Sequence, residues 1–125
     1  MKIKLGIDII YFKRIEYMVR QYNEFFFKKI LSSYEIIKKP HKNYISSYIA
    51  KCLTSKEALS KAIGSGFRNN IKFSDISIYN NKLGKPCFYI SGKTKFYFLK
   101  KKIKKYELTI SNENDYIISL VNIVY

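Results

Sequence analysis

The order of apolar periodicities along the chain predicts an α+β fold, an antiparallel sheet packed against helices. Three observations carry that expectation. Strict alternation opens the chain, with Ile3, Leu5, Ile7 and Ile9 on one face. Two runs of helical spacing follow before Ile63. The rest reads as two pairs of short alternating segments with a basic helix between them.

Each element has a local reason. In the first strand, Lys2 to Ile10, Asp8 falls on the face opposite the isoleucines, where it can look into a cleft. From Phe12 to Leu31, Ile15, Met18, Val19, Tyr22, Phe25 and Phe26 recur at helical spacing, predicting one long or two short helices. Ser32-Ser33-Tyr34-Glu35 has the form of a helix cap, and Pro40 stops the short helix that follows. The second main helix runs from Asn43 to Ile63, with Ile45, Ile49, Cys52, Leu59 and Ala62 in its apolar stripe and Gly64 as its C-terminal cap. Asp75 to Tyr79 and Pro86 to Ile90 read as strands around the turn residues Asn80 to Gly84. Thr94 to Lys102 reads as a basic helix. Tyr106 to Ser111 and Tyr116 to Val124 form a hairpin across Asn112 to Asp115. No repeat or linker interrupts residues 1–125, so a single domain is expected.

Bulk composition narrows the class. At 125 residues and 47% apolar content the chain can build a modest core without staples. No apolar run reaches the length of a membrane span, and the N-terminus lacks a signal peptide's apolar stretch and cleavage site. The first strand begins almost at Met1, so any presequence is expected to be absent from these residues, which leaves bacterial and organellar origins open. Cys52 and Cys87 read as buried thiols in a reducing compartment, and two Cys with one His give no zinc-type spacing. The net charge of +15 points to an acidic partner. Nearly all of it is Lys, in a chain also rich in Ile, Asn and Tyr, a mixture that an AT-rich coding sequence tends to give, so charge alone names no partner.

The segment from Ser55 to Gly66 is the most informative. Glu57 and Lys61 lie four residues apart and share one helix face, followed by Gly64-Ser65-Gly66. A carboxylate holds a hard cation and an ammonium holds phosphate oxygens, so the pair suits a metal–phosphate ligand. The same spacing also serves as an ordinary solvated helix pair, worth about 0.3–0.5 kcal/mol. Gly64 and Gly66 let backbone approach a ligand closely, or simply cap a helix before a loop.

With Gly6-Ile7-Asp8-Ile9, Arg14-Ile15, the Phe27…Ile30-Leu31…Glu35 segment, Lys56-Glu57-Ala58 through Gly66, Asp75-Ile76, and Gly84-Lys85-Pro86, the chain resembles the holo-acyl-carrier-protein synthase family of short phosphopantetheinyl transferases. The resemblance covers nearly the whole length, with six landmarks in order. It implies the phosphopantetheinyl transferase fold and transfer of the phosphopantetheine arm of coenzyme A to a serine of apo-acyl carrier protein, in fatty acid biosynthesis. It implies Asp8 and Glu57 as ligands of Mg²⁺, with Lys61 as a catalytic phosphate contact. It also implies coenzyme A contacts from Lys61, Gly64, Ser65, Gly66, Lys85, Pro86 and Ser111. Carrier-protein docking on Arg14 and the first helix is implied too, helped by Lys13 and Arg20, together with a cytoplasmic homotrimer whose active sites lie between subunits. No nucleic-acid or membrane partner is expected from it.

Two positions depart from the family pattern. Asn112 stands where the family has a His after Ser-Ile-Ser, and Asn carries no charge and shuttles no proton. Cys52 stands where an Arg is frequent, with Lys51 beside it expected to point elsewhere on the helix. Two rival readings stay open: a basic nucleic-acid-binding module, and a family member that binds coenzyme A or carrier protein without turnover.

Overall fold

The computed structural model describes residues 2–64 and 71–125, and its central sheet is built by the two ends of the chain. Strand β1 (Ile3–Tyr11) and strand β4 (Lys105–Glu113) both pair antiparallel with β5 (Tyr116–Val124), giving the order β1-β5-β4. The registers run from Ile3 opposite Val124 to Tyr11 opposite Tyr116, and from Lys105 opposite Val124 to Glu113 opposite Tyr116. A separate hairpin pairs β2 (Ile76–Asn80) with β3 (Pro86–Ile90). Between the first strand and this hairpin lie α1 (Phe12–Ile30), the short α2 (Ser33–Lys38), α3 (Lys42–Ile63) and a 3₁₀ turn at Phe73–Asp75. Helix α4 (Gly92–Lys100) joins β3 to β4. This is the α+β architecture expected.

Local chemistry explains the helix ends. The Ser32 hydroxyl accepts from the Glu35 amide while the Glu35 carboxylate accepts from the Ser32 amide, a reciprocal capping box. Helix α3 ends at Gly64, whose φ of +87° puts it in the left-handed region that favours glycine. Ser65 and Gly66, both expected at the site, lie outside the described residues.

Two apolar clusters share α3. Its N-terminal half packs with α1 through Ile15, Phe26, Phe27, Ile30, Ile45 and Ile49. Its C-terminal half packs Ala58, Leu59 and Ala62 against Ile76, Phe88, Phe98 and Val121. A buried ion pair locks the junction: the Lys56 ammonium donates to Glu35 Oε1 and to the Ile30 carbonyl, both at 2.6 Å, and to the Phe73 carbonyl at 3.1 Å. Burial pushes the Lys56 pKa down, and Glu35 partly offsets that. The second Glu35 oxygen accepts from the Ile78 amide at 2.8 Å, which anchors β2 to the same knot.

Several expectations shift. Tyr22 and Phe25 are exposed, because α1 buries the neighbouring row through Phe26, Phe27 and Ile30. Asp75 leaves the strand for the 3₁₀ turn, where its carboxylate accepts from the Thr94 amide and hydroxyl at the start of α4. Asn112 and Glu113 belong to strand β4 rather than to the hairpin turn. Cys52 is buried as expected, but Cys87 is only partly so, since it sits on the outer face of the β2–β3 hairpin. The isoleucine face of β1 points away from the helices: Ile3, Leu5, Ile7 and Ile9 are 56–64% exposed.

Candidate functional site

The site begins with a close approach of backbones. A Cβ on Gly6 would stand 1.9 Å from the Ala58 carbonyl oxygen and 2.5 Å from the Ala62 nitrogen. Glycine in the strand and alanines on the helix therefore let β1 lie directly on α3. Two residues on, on the same face, Asp8 meets Lys61 of α3, whose ammonium donates to Asp8 Oδ1 at 3.0 Å and to the Ile7 carbonyl at 3.1 Å. The Asp8 side chain is only 17% exposed, while that of Lys61 is 56% exposed.

Glu57 is the third member. One helical turn before Lys61, it is half-buried. Burial first, and the Asp8 carboxylate second, hold its carboxyl above the usual range, and Lys61 and Arg14 pull it back. Asp8, Glu57, Lys61 and Arg14 thus act on one another electrostatically; the four-residue spacing anticipates only the Glu57–Lys61 part of the group. Arg14 reaches it from the first turn of α1.

Two carboxylates with hard oxygens, Asp8 raising the cost of ionising Glu57, make a donor set that suits a divalent oxygen-loving cation. Mg²⁺ typically takes one or two carboxylates and completes its shell with water and phosphate oxygens. Among the described residues no cluster of three His, Cys, Asp or Glu groups forms, so the pair is the protein's own contribution here.

A second feature lies further back along α3. A cleft of about 720 Å³ opens between α3, the β2–β3 hairpin and β4, a size that accommodates a nucleotide-sized ligand. Pro86, Ser111 and Asn112 line it together with Lys51, Cys52 and Tyr44. Lys51 therefore shares the cleft with Cys52 instead of pointing elsewhere, a correction that follows from the hairpin folding over both positions. Lys85 is not among its lining residues; it is exposed and ion-paired with Glu107. Asp8, Glu57 and Lys61 do not line it either. Gly64 caps α3 with open space where a Cβ would stand. Tyr44 and Lys51, which the sequence reading did not assign to the site, are found only once the hairpin is placed over α3.

In sequence and overall fold the chain is similar to known proteins. The sequence profile of the 4′-phosphopantetheinyl transferase superfamily matches residues 4–121. The chain is 38% identical over 109 residues to a holo-[acyl-carrier-protein] synthase of Ruthia magnifica, covering 87% of this chain and 86% of that protein. It is 39% identical over 121 residues to one of Pelagibacter ubique, covering 94% and 92%. A solved holo-[acyl-carrier-protein] synthase from Neisseria meningitidis superposes with a TM-score of 0.92 at 30% identity, over 98% of both chains. The Helicobacter pylori enzyme in complex with coenzyme A gives 0.82 at 32% identity, over 96% of this chain and 99% of that one.

Proposed function

Because the chain belongs to the 4′-phosphopantetheinyl transferase superfamily, we propose that its two half-sites carry out one reaction on acyl carrier protein. The enzyme transfers 4′-phosphopantetheine from coenzyme A to a serine of apo-acyl carrier protein. The serine oxygen forms a bond to the β-phosphorus, the bridging P–O bond breaks, adenosine 3′,5′-bisphosphate leaves, and the serine proton is released. The observation that carries this reading is the meeting of Asp8, Glu57 and Lys61 on the Gly6 seam.

Asp8 and Glu57 would hold Mg²⁺, which when bound neutralises the pyrophosphate charge. Lys61, half exposed and tied to Asp8, would swing onto a phosphate oxygen and stabilise charge as it develops on the leaving group. Gly64, Ser65 and Gly66 follow directly on the helix and are read as the backbone of the phosphate contact. In the 720 Å³ cleft, Pro86 and Ser111 are read as coenzyme A contacts, with Lys51 supplying positive charge beside Cys52 and Asn112. Lys85, exposed and paired with Glu107, is read as a further coenzyme A contact from the strand that opens at Pro86.

The metal pair and the cleft occupy different places on one chain. The exposed apolar face of β1, extended by Leu120 of β5, offers a surface for self-association. Both support a homotrimer with each active site completed between subunits. Arg14, exposed on α1 and close enough to weigh on Glu57, is read as the docking point for the acidic carrier protein. The reading takes residues 1–125 as one transferase domain acting in cytoplasmic fatty acid biosynthesis, in keeping with two unpaired thiols. Among the described residues no helix is long and apolar enough to cross a membrane.

Mass spectrometry of apo-acyl carrier protein incubated with the chain, coenzyme A and Mg²⁺ tests the proposal. A phosphopantetheine mass gain that vanishes with EDTA and in Glu57→Ala is expected. No gain on a carrier protein that another transferase modifies refutes it.

A further inference from the structure

Helix α4 takes no part in the half-sites above, and its outer face sets two exposed apolar side chains among lysines. Its inner face buries Thr94 and Phe98 and half-buries Tyr97. At 100° per residue the opposite face is centred on Phe96 and Leu99, which are 73% and 62% exposed. Lys95 flanks that pair on one side, and Lys93 and Lys100 on the other. The chain then runs Lys100-Lys101-Lys102-Ile103-Lys104-Lys105, burying only Ile103.

The sheet gathers more charge at this end. Lys105 and Ile3 both face Val124, and the Tyr125 amide donates to the Lys2 carbonyl. Lys2 and Lys4 sit over the Tyr125 ring at 5.7 and 5.3 Å. No acidic residue occurs between Asp75 and Glu107. Those two are engaged: Asp75 at the start of α4 with Thr94, Glu107 with Lys85 and Lys105.

We propose that the α4 surface docks the protein on an anionic phospholipid bilayer, with Phe96 and Leu99 inserted at the headgroup level and the surrounding lysines on lipid phosphates. Charge complementarity requires an anionic partner, and the shape chooses among anionic partners. Phe96 and Leu99 stand exposed between lysines on both sides, an apolar wedge rather than a flat charged face. A bilayer receives such a wedge by parting its headgroups, and rewards an apolar pair ringed by flexible lysines. Juxtamembrane lysines each add to the attraction, while a spanning helix is not needed. Surface binding of this kind runs against the expectation of no membrane partner that came with the family resemblance, and it needs no spanning helix. The contact is independent of the transferase reading.

The chain contains no Trp, so Phe96→Trp gives a single reporter at the tip. Its emission is expected to shift to the blue with vesicles of phosphatidylcholine and phosphatidylglycerol, and not with phosphatidylcholine alone. Vesicle co-sedimentation is expected to weaken by about tenfold in Phe96→Ser/Leu99→Ser. It should weaken on the order of a hundredfold in Lys93→Gln/Lys95→Gln/Lys100→Gln. All five positions are exposed, so these variants fold, which circular dichroism checks. Absence of the blue shift on anionic vesicles overturns the proposal. So does undiminished vesicle binding by Phe96→Ser/Leu99→Ser, which would reduce the contact to charge alone. Single-stranded RNA or acidic carrier protein binding that depends on these residues, where vesicle binding does not, overturns it as well.

Discussion

Replacing Gly6 by Ala tests whether the close packing of β1 on α3 makes the site. The added Cβ would lie 1.9 Å from the Ala58 carbonyl oxygen, 2.5 Å from the Ala62 nitrogen and 3.0 Å from the Ala62 Cα. All three are backbone atoms of a buried helix turn, so no side chain can swing aside. Reaching an ordinary contact of 3.4 Å requires the strand to retreat by about 1.5 Å, the gap between that distance and 1.9 Å. Overpacking of this kind costs about 1–3 kcal/mol, and a rigid backbone neighbour places the cost at the upper end. The catalytic consequence is larger. Asp8 rides two residues further along the same strand face, and its carboxylate leaves Lys61 and Glu57 by a comparable distance. An ångström of misplacement in a reacting constellation costs on the order of a hundredfold in rate. Transfer to apo-acyl carrier protein, followed by mass spectrometry at a temperature where circular dichroism shows the variant folded, should fall by about that factor. Thermal unfolding should drop at the same time. A Gly6→Ala protein with native melting temperature and native rate would refute the reasoning, because it would mean that the seam does not set the position of Asp8.

Three further outcomes follow from the same packing and charges. Lys56→Met leaves Glu35 buried without its cation and should destabilise by about 3–5 kcal/mol, visible as a melting temperature lowered by roughly 10–20 °C, with Glu35→Gln/Lys56→Met costing less than the sum of its parts. In the native protein a thiol reagent should label Cys87 quickly and Cys52 only on unfolding. Burial holds the Cys52 thiol well above its usual pKa, so the unfolded chain loses that proton first and stability should fall as pH rises past the ordinary thiol range. Glu57 keeps its proton above the usual carboxylate range, so the metal-free fold binds more protons than the unfolded chain there and loses stability as pH rises through that window. At the proposed Asp8–Glu57 site Mg²⁺ would compete with that proton: its stabilising shift in melting temperature should be large near neutral pH, shrink on acidification, and disappear in Glu57→Gln.

The fold was legible wherever a residue has one strong local reason. The capping box at Ser32 and Glu35, the left-handed Gly64, the turn before Pro86 and the alternation of β5 all stand where side-chain chemistry alone puts them. The orientation of β1 was not legible in the same way. Its isoleucines alternate as a core face would, yet the buried face carries Gly6, Asp8 and Ile10. Alternation reports that two faces differ, not which one the rest of this chain covers. The same limit applies to Tyr22 and Phe25, which fit the helical period of α1 but miss the row that α3 covers.

The site divides along the same line. Glu57 and Lys61 share a helix face by spacing alone, so their partnership follows from local sequence. Asp8 joins them through a contact across more than fifty residues, and the only local sign of it is a glycine two positions earlier. A strand glycine has several explanations, of which close backbone approach is one. Here the matching signal lies in the partner helix, where Ala58 and Ala62 fall one turn apart on the face that meets β1. Small residues on both sides of a seam are what a strand and a helix need to place a carboxylate against an acid–lysine pair. The cleft had no comparable signal. Lys51 and Cys52 are adjacent on α3, and helical geometry argues for sending them different ways; the β2–β3 hairpin covers both, and nothing within α3 specifies where a hairpin twenty-five residues later will lie.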